Sequence, residues 1–408
     1  MQKNITRIVE NYFSKFNNIV TRFSPMLKEQ KSQIANLINA LKSSSLKSIL
    51  IAGPYVSDID VNDGYQKRAS IVDTVIGNFI VKIYAWPYDK QNDSVDFIIE
   101  QKKSNTYVIR YNMLSLSHIA SLNIIIKQCS YIYCHSIAAI HERNFTSNCA
   151  IKILDLHGAI PEEFRMAGNN WLALKASRKE AKMLRNANTI VCVSNAMVDH
   201  IRRKYPRLNS DFIVLPILDP RLEKKNDYPT NRLNTTKSNP RVIYAGGLQI
   251  WQNIPLIQDL IIKTGRSFDY TICVPNPAAF MHNSGIPNDV HFVLSSCSTK
   301  ELCQIYKKSD FGLLLRDDSI VNEVSCPTKL AEYLYFGVIP VLRSTKIGDF
   351  ARLGMKFVRY DEFKLKRVPS KEECEIIRSV NMKVLKKLQI EFQAGRKKLR
   401  KLICIEAI

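Results

Sequence analysis

Short runs rich in isoleucine and valine, each bounded by turn residues, recur along most of this 408-residue chain. Several of the intervals between them place apolar residues at helical spacing, as in "WLALKASRKEAKMLRNA". Strands of this composition that alternate with helices are typical of parallel sheets covered on both faces. The sequence therefore predicts an α/β protein. The expected strands are 47–53, 79–86, 131–136, 151–158, 188–194, 211–216, 241–247, 268–275, 290–294, 310–316 and 338–342.

One break in this pattern divides the chain into two halves. Residues 219–240 lose all periodicity and are rich in asparagine, proline, threonine and charge, which is typical of a linker. A chain of this length also exceeds one ordinary core and fits two domains. We therefore expect two tandem Rossmann-like, doubly wound domains facing a cleft, the first over 46–218 and the second over 241–375.

Both ends of the chain are expected to be helical. In the extension 1–45, apolar residues from Ile5 to Val20 recur at steps of three and four, which indicates an amphipathic helix. Two interpretations are open for it: a helix packed on the first domain, or a helix lying on a membrane surface. The C-terminal extension 376–408 is expected to be a basic helix. Its tail carries one apolar stripe, formed by Ile377, Val380, Val384, Leu388 and Phe392.

The stretch "SCPTKLAEYLYFGVIPV" (325–341) predicts a short helix that runs into a buried strand. Ser325 can cap this helix, Pro327 fits its first position, and Gly337 can end it where a left-handed backbone is needed. In open parallel sheets, ligands bind beyond the carboxyl ends of the strands, where helix N-termini present unpaired N–H groups. The start of this helix is therefore expected to face a ligand.

Two charged residues lie off the apolar stripe of that helix. Leu330 and Leu334 supply the buried i, i+4 positions, whereas Lys329 and Glu332 do not. A lysine and a carboxylate near a helix start suit a phosphate and the diol of a ribose. A pair of solvent-exposed charges explains the same pattern equally well.

A second stretch, "VIYAGGLQIWQNI", ends a predicted strand in Gly246 and Gly247. Paired glycines let backbone N–H groups come close to an anion, although a Gly-Gly pair can also mark an ordinary turn. The chain has no G-x-G-x-x-G and no Walker sequence. It therefore gives no support for a dinucleotide-dependent dehydrogenase or a P-loop ATPase.

A third stretch, "ILDLHGAIPEE", places Asp155 and His157 at the end of a predicted strand. A histidine there can bind a sugar hydroxyl or transfer a proton, or it can simply be satisfied by nearby backbone. Glu162 and Glu163 open the next segment, where acidic residues also favour a helix N-terminus. We take Asp155 and His157 as catalytic candidates and Glu162 as an acceptor-side candidate.

The stretch "SDIDVNDGYQKR" contains the pair Asp58 and Asp60, whose spacing suits a divalent metal on a nucleotide diphosphate. Such a tripeptide is common by chance, so no metal is expected. Arg68 lies a few residues further on. It is a candidate for a base that faces the cleft on the acceptor side.

Lysine and arginine outnumber aspartate and glutamate by 59 to 37, which gives a formal net charge of +22. A field of this sign attracts polyanions: nucleic acid, nucleotide phosphates or an anionic membrane surface. The ten cysteines form no Cys-x-x-Cys pair and no cluster at zinc-ligand spacing, which favours reduced thiols over a structural metal. Because no secretory signal and no apolar run of membrane-spanning length stand out, we expect a cytoplasmic protein.

Four stretches together resemble a known family. "DLHGAIPEE", "IVCVSNAM", "YAGGLQIWQN" and "SCPTKLAEYLYFGVIPV" occur in the order of the group 1 (family 4) retaining glycosyltransferases of GT-B fold, of the polysaccharide-biosynthesis kind. The resemblance covers roughly residues 47–400. It implies metal-independent transfer of a sugar, with retention of anomeric configuration, from a nucleotide-diphosphate sugar to an acceptor. The nucleotide sugar is a co-substrate, and no cofactor is implied.

By position, the resemblance implies a donor site in the C-terminal domain. Glu332 matches the second Glu of the family's Glu-x7-Glu motif, which holds the nucleotide ribose. Gly246 and Gly247 match the glycines whose backbone faces the diphosphate. His157 matches the N-domain histidine that contacts the donor sugar near the reacting centre, and the acceptor is bound mainly by the N-terminal domain.

The chain departs from the family pattern at two places. The first Glu of the motif falls on Val324, and Glu323 is one residue out of register. The family's Arg and Lys after the glycines are missing, and "LQIWQN" supplies amide side chains instead. Lys329 and Arg316 are the candidates for stabilising the charge of the leaving diphosphate, and Ser325 is a further donor-binding candidate.

The expected enzyme builds a capsular, O-antigen or other surface polysaccharide on a lipid-linked acceptor at the inner face of the plasma membrane. Peripheral attachment to an anionic surface through basic residues fits the charge of the chain. Three alternatives stay open: a sugar-nucleotide epimerase, a non-catalytic GT-B scaffold subunit and a basic nucleic-acid-binding protein. The sequence contains no RNA- or DNA-binding motif, so nucleic acid is not an expected partner.

Overall fold

The computed structural model describes residues 28–56, 64–88, 96–223, 239–282, 284–287, 290 and 292–404. These residues form two compact units. The first runs to Val193, takes in Val198–Leu215 and resumes at Gly395, and the second comprises Ser194–Met197 and Pro216–Ala394. The domain boundaries given above stay predictions, because much of 1–45 and of 219–240 lies outside the described residues.

The first unit is built on an eight-stranded sheet of order β3-β4-β2-β1-β5-β6-β7-β8. Every neighbouring pair is parallel except β3 and β4. The central strands β1, β5 and β7 are buried along their whole length, as the Ile/Val-rich runs predict. The strands are β1 Ser48–Ala52, β2 Val81–Pro87, β3 Ile98–Lys103, β4 Thr106–Tyr111, β5 Tyr131–Cys134, β6 Ile151–Leu156, β7 Thr189–Cys192 and β8 Asp211–Val214.

The antiparallel hairpin β3–β4 was not expected from the sequence. Strand β3 carries Glu100, Lys102 and Lys103 and is largely exposed, so it lacks the apolar run by which the other strands were recognised. A charged, exposed strand at the border of a sheet discourages pairing with a second chain. The sequence feature that could have indicated this hairpin is the two-residue connection Ser104–Asn105 between the strands.

Helices connect the strands of the first sheet. The expected N-terminal helix is present where the structure describes it, and residues Ile5 to Val20 lie outside the described part. The helices are α1 Lys28–Ser43, α2 Gly64–Ile76, α3 Leu116–Ile126, α4 Glu142–Thr146, α5 Ile160–Met166, α6 Asn170–Asn186 and α7 Asn195–Lys204. No helix among the described residues is both long and apolar enough to cross a lipid bilayer.

The second unit contains a six-stranded, fully parallel sheet of order β11-β10-β9-β12-β13-β14. Two doubly wound α/β sheets in tandem are therefore present, as predicted. The strands are β9 Arg241–Ala245, β10 Asp269–Cys273, β11 Phe292–Ser295, β12 Phe311–Leu314, β13 Ile339–Leu342 and β14 Val358–Arg359. The helices are α8 Ile254–Thr264, α9 Pro277–Met281, α10 Thr299–Lys308, α11 Ile320–Glu323, α12 Thr328–Phe336, α13 Tyr360–Lys364 and α14 Lys371–Cys404, of which α14 belongs to this unit up to Ala394.

Local signals in the sequence account for several helix ends of the second unit. Ser298 caps α10 and Glu301 returns a hydrogen bond to the cap, which completes a capping box. The apolar stripe expected on α14 is also found, since Val384, Leu388 and Phe392 are all buried. Amphipathic periodicity thus predicts this helix, which begins at Lys371, five residues before the expected start at 376.

Replacing Leu330 by alanine should lower the free energy of unfolding of the second unit by about 2–5 kcal/mol, because this side chain is fully buried in α12 and its loss leaves a cavity. Leu365→Ala is the matched control. Leu365 is 63% exposed, so its truncation should change the stability by less than about 0.5 kcal/mol. Denaturant unfolding of the two variants measures the difference, and equal effects would contradict the burial described.

Candidate functional site

The centre of the candidate site in the first unit is Asp155, near the carboxyl end of β6. Arg68, from α2, grips this carboxylate with two hydrogen bonds of 2.8 Å, and both side chains are completely buried. Arg68 also donates to the carbonyl oxygen of Leu215. Its burial corrects the expectation that Arg68 faces an acceptor: the guanidinium is the counter-ion of Asp155.

Two further groups donate to Asp155. The hydroxyl of Tyr133 lies 2.6 Å from one carboxylate oxygen, and Nε2 of His157 lies 3.0 Å from the same oxygen. Burial alone would raise the pKa of Asp155, but the charge of Arg68 and the contact with His157 hold it well below its ordinary value. Asp155 is therefore a permanent carboxylate that orients its neighbours.

This carboxylate fixes the role of each nitrogen of His157. Because Asp155 can only accept, Nε2 of His157 carries a proton toward it, and in the neutral imidazole Nδ1 then has the lone pair. Nδ1 is buried and makes no hydrogen bond to any described residue. It is the atom through which His157 can bind a hydroxyl or take a proton. The centres of the Tyr65 and His157 rings lie 4.9 Å apart.

His135 is a member of this cluster that the sequence reasoning missed. Its Nδ1 lies 3.4 Å from Nε2 of His157, and burial lowers its pKa to about 4, so it is neutral at physiological pH. A side chain at Gly53 would collide with its ring. The sequence contains a signal for this contact. His135 directly follows β5, His157 directly follows β6, and the two strands are neighbours in the sheet.

The side chains of His135, Asp155 and His157 bring potential metal-ligand atoms within 4.8 Å of one another. The charge of Arg68 argues against a cation there, because the guanidinium already occupies both carboxylate oxygens. The donor set suits a hydrogen-bond network. Asp58 and Asp60, considered above as metal ligands, lie outside the described residues.

Glu162 is held by cations of its own unit. One of its oxygens accepts from Lys204 at 2.8 Å and from Arg165 at 3.2 Å. The carboxylate lies in the first turn of α5 and joins α5 to α7. These contacts favour the structural interpretation over a role on the acceptor.

Glu163, next to it, has a different environment. A carboxylate oxygen of Glu163 lies so close to Gly158 that a Cβ on that glycine would overlap it. Burial, together with the charge of Glu162, raises the pKa of Glu163 to about 7. The structure thus adds to the site a carboxyl group that titrates near neutrality, directly beside the turn after His157.

Glu163→Gln should make the stability less dependent on pH. The carboxyl of Glu163 has an ordinary pKa of 4.5 when unfolded and about 7 when folded, so the folded state holds its proton more tightly. Below about pH 4.5 the carboxyl is protonated in both states and the stability is unaffected; between about pH 4.5 and pH 7 the folded state loses stability progressively, by about 3 kcal/mol in all. Unfolding at several pH values checks this: the variant should match the wild type at pH 4 and exceed it at pH 8. Parallel curves would contradict the shift.

Arg68→Met should lower the free energy of unfolding of the first unit by about 3–5 kcal/mol, because Asp155 would stay buried without its counter-ion. Removing both charges in Arg68→Met/Asp155→Leu should cost less than the sum of the single variants. A double-mutant cycle measured by denaturant unfolding checks this, and strictly additive effects would show that the two groups are not paired.

In the second unit, the start of α12 differs in detail from the prediction. Pro327 lies at the capping position, one residue before the expected place, and no side chain caps the helix. The hydroxyl of Ser325 instead donates to the carbonyl oxygen of Asn322 at 2.8 Å. Gly337 ends the helix with a φ of 65°, as predicted, and its carbonyl oxygen accepts from Arg378.

The two charged residues of α12 are placed differently. Glu332 is buried, only 8% exposed, and accepts a hydrogen bond of 2.9 Å from the hydroxyl of Tyr306. The ammonium of Lys329 lies 5.4 Å from the centre of the Tyr244 ring, and a Cβ on Gly246 would overlap it. Gly246 therefore permits the lysine to lie against the end of β9. The two motifs meet here, so a solvent-exposed Lys329–Glu332 pair is ruled out.

Arg316, which follows β12, is a buried cation without a carboxylate partner in the described part of the chain. Its side chain is 7% exposed and reaches only neutral amides among the described residues: Gln252 at 3.3 Å and Asn322 at 3.4 Å. Burial lowers its pKa to about 10. A buried charge normally has an ionic partner, so this guanidinium is suited to bind an anion. Gln252 was noted in the sequence as a departure from the family, whereas Asn322 was missed.

No family model matches the chain, and no curated protein is similar to it at a significant level. Solved structures are similar. A sucrose-phosphate synthase from Thermosynechococcus elongatus has a TM-score of 0.62 at 11% identity, over 88% of this chain and 98% of that one. The fold is GT-B. An α,α-trehalose-phosphate synthase (UDP-forming) from Burkholderia vietnamiensis aligns with a TM-score of 0.55 at 9% identity, over 90% and 100% of the chains. Anabaena HepE in complex with UDP-glucose aligns with a TM-score of 0.59 at 12% identity, over 89% and 99%.

Val324 and Glu323 lie at and beside the position where the family resemblance places the first glutamate of the Glu-x7-Glu motif. The side chain of Val324 is fully buried, and its carbonyl oxygen accepts from the hydroxyl of Ser194 at 2.6 Å. Position 324 thus belongs to the core. Glu323 is half-buried at the end of α11, and its assignment to the donor site stays a prediction.

Proposed function

We propose that this protein is a retaining, metal-independent glycosyltransferase that moves a sugar from a nucleotide-diphosphate sugar to a hydroxyl of a glycan acceptor. The observation that carries the proposal is the buried Arg316, which has no carboxylate partner among the described residues and lies at the carboxyl end of a parallel strand. Anionic ligands bind at this end of such sheets. A diphosphate supplies the missing negative charge.

The donor is bound by the second unit in this proposal. Arg316 and Lys329 bind the diphosphate, and the backbone of Gly246 and Gly247 approaches it closely because neither residue has a side chain. Glu332 accepts hydrogen bonds from the ribose hydroxyls, a role that its burial beside Tyr306 keeps well oriented. The side chain of Val324 makes no contact with the sugar.

The reaction breaks the bond between the anomeric carbon and the diphosphate oxygen, whose electron pair leaves with the nucleotide diphosphate. The acceptor oxygen bonds to the anomeric carbon on the same face, and its proton passes to the departing phosphate. Arg316 and Lys329 stabilise the charge that develops, which is usually the largest catalytic contribution. In the first unit, Nδ1 of His157 is the proposed acceptor of a hydrogen bond from a substrate hydroxyl, and Asp155 orients the imidazole.

The names of two neighbours suggest where to begin with donors. HepE was solved with UDP-glucose, and the trehalose-phosphate synthase is described as UDP-forming. We accordingly propose uridine diphospho-sugars as the first candidates. For the acceptor we propose a lipid-linked glycan of a surface polysaccharide such as a capsule, handled by a cytoplasmic enzyme bound peripherally to the membrane. The net charge of +22 supports attachment to an anionic surface.

A non-catalytic GT-B scaffold subunit is the second candidate. It is favoured by Val324, because the position of the family's first glutamate is occupied by a core residue. A scaffold of this kind binds a nucleotide diphosphate without consuming any nucleotide sugar. Release of the diphosphate in the presence of donor and acceptor therefore decides between the two candidates.

Nucleoside diphosphates should raise the melting temperature of the protein, and at least one base should do so at submillimolar concentration. Arg316→Gln should weaken that binding about 10- to 100-fold, since a hydrogen-bonded charge is lost from the phosphate site. Arg359→Gln, on an exposed arginine of the same unit, is the matched control and should bind like the wild type. Indifference to every nucleotide, or equal affinities of the two variants, would contradict the proposal.

A further inference from the structure

Helix α6 (Asn170–Asn186) of the first unit has one face that is largely exposed. Its buried face includes Leu172, Ala176 and Leu184 and packs on the core. The other face begins with Trp171 and Leu174, which are 47% and 51% exposed. Cations continue it at helical spacing. We call this face the α6 stripe, formed by Trp171, Leu174, Lys175, Arg178, Lys182 and Arg185.

The apolar end of the α6 stripe lies next to an exposed turn. Residues 167–169 between α5 and α6 are all exposed, and Gly168 adopts a φ of 76° there. Asn169 fixes the start of α6 by accepting from the N–H of Leu172 at 3.1 Å. The ammonium of Lys175 lies 3.4 Å from the centre of the Trp171 ring. An exposed tryptophan with a cation beside it is typical of side chains that lie at a membrane–water interface.

The charge of the α6 stripe has one sign. The carboxylate of α6, Glu180, is on the buried face, where it pairs with Lys204. Lys182 pairs with Glu142 of α4 at 2.7 Å. Arg178 and Arg185 have no carboxylate partner among the described residues, and Arg185 donates only to the carbonyl oxygen of Ala181. The stripe is complementary to an anionic surface.

We propose that the α6 stripe docks this protein on an anionic lipid bilayer. Trp171 and Leu174 enter the boundary between headgroups and acyl chains, and Lys175, Arg178 and Arg185 contact lipid phosphates. A second copy of the chain is a poorer occupant, because two stripes of like charge repel each other. Nucleic acid could bind the cations of the stripe, but its phosphates would not explain why the apolar side chain of Leu174 is exposed beside them. The proposal deepens the proposed function, since it names the surface that would carry a lipid-linked acceptor.

Vesicle binding of the full chain tests the proposal without any nucleotide or sugar, so its outcome is independent of the proposed transfer activity. Phosphatidylglycerol/phosphatidylcholine vesicles should sediment the protein, and pure phosphatidylcholine vesicles should not. Salt should weaken binding. The chain has three tryptophans. The tryptophan fluorescence emission should shift to the blue on binding and be quenched by lipids with brominated acyl chains. Trp171→Phe should abolish both effects.

Two pairs of substitutions separate the parts of the stripe. Trp171→Ala/Leu174→Ala should weaken vesicle binding about tenfold or more, because it removes the apolar anchor. Arg178→Gln/Arg185→Gln should weaken it about 20- to 30-fold, since each cation near an anionic membrane contributes about fivefold. The matched control is Ile390→Ala/Lys386→Gln/Lys387→Gln on α14, where Ile390 is 69% exposed. It should bind like the wild type.

Each alternative gives a distinct result that would overturn the proposal. The proposal is contradicted if the protein does not bind the vesicles or if both stripe variants bind them as the wild type does. It is also contradicted if only the α14 control loses vesicle binding. A dimer by light scattering that the stripe variants disperse would assign the face to a second copy. RNA binding that they weaken, without vesicle binding, would assign it to nucleic acid. Melting curves matching the wild type show that the variants remain folded, as expected for exposed positions.

Discussion

The proposed chemistry depends on the guanidinium of Arg316, which is buried and has no counter-ion among the residues that the structure describes. Taking a charge out of water costs several kcal/mol unless an opposite charge accompanies it. The lowered pKa of Arg316 expresses that cost, and Gln252 and Asn322 offset only part of it, because they offer dipoles instead of a charge. A diphosphate bound there completes the ion pair. Lys329, lying against Gly246, adds a second positive charge at the same strand ends.

The first unit shows the opposite arrangement with the same residue type. Arg68 is buried too, but it holds Asp155 in a complete, two-bonded ion pair. The charges of this pair balance each other, so neither is available to a ligand. The carboxylate acts on His157 instead, whose Nε2 must donate to it. Arg68 and Asp155 are therefore positioning residues. A buried arginine points to a ligand only when its partners within the protein are neutral.

The sequence predicts the framework well because the framework obeys local rules. Ile/Val-rich runs located the buried strands, and the capping residues Ser298 and Gly337 located helix ends. Strand β3 escaped because an exposed, charged strand has no apolar run. Side-chain roles were harder to predict. Arg68 and Asp155 are 87 positions apart, and no local pattern shows that they meet. Ser325 bonds to Asn322 instead of capping α12, since Pro327 takes the capping position.

A crystal structure of the protein with uridine diphosphate tests the central claim most directly. We predict phosphate oxygens within hydrogen-bonding distance of the Arg316 guanidinium and the Lys329 ammonium, with the ribose hydroxyls donating to Glu332. The ion pair that Arg316 lacks among the described residues would then be supplied by the ligand. A diphosphate bound elsewhere, with Arg316 still joined only to Gln252 and Asn322, would contradict the account.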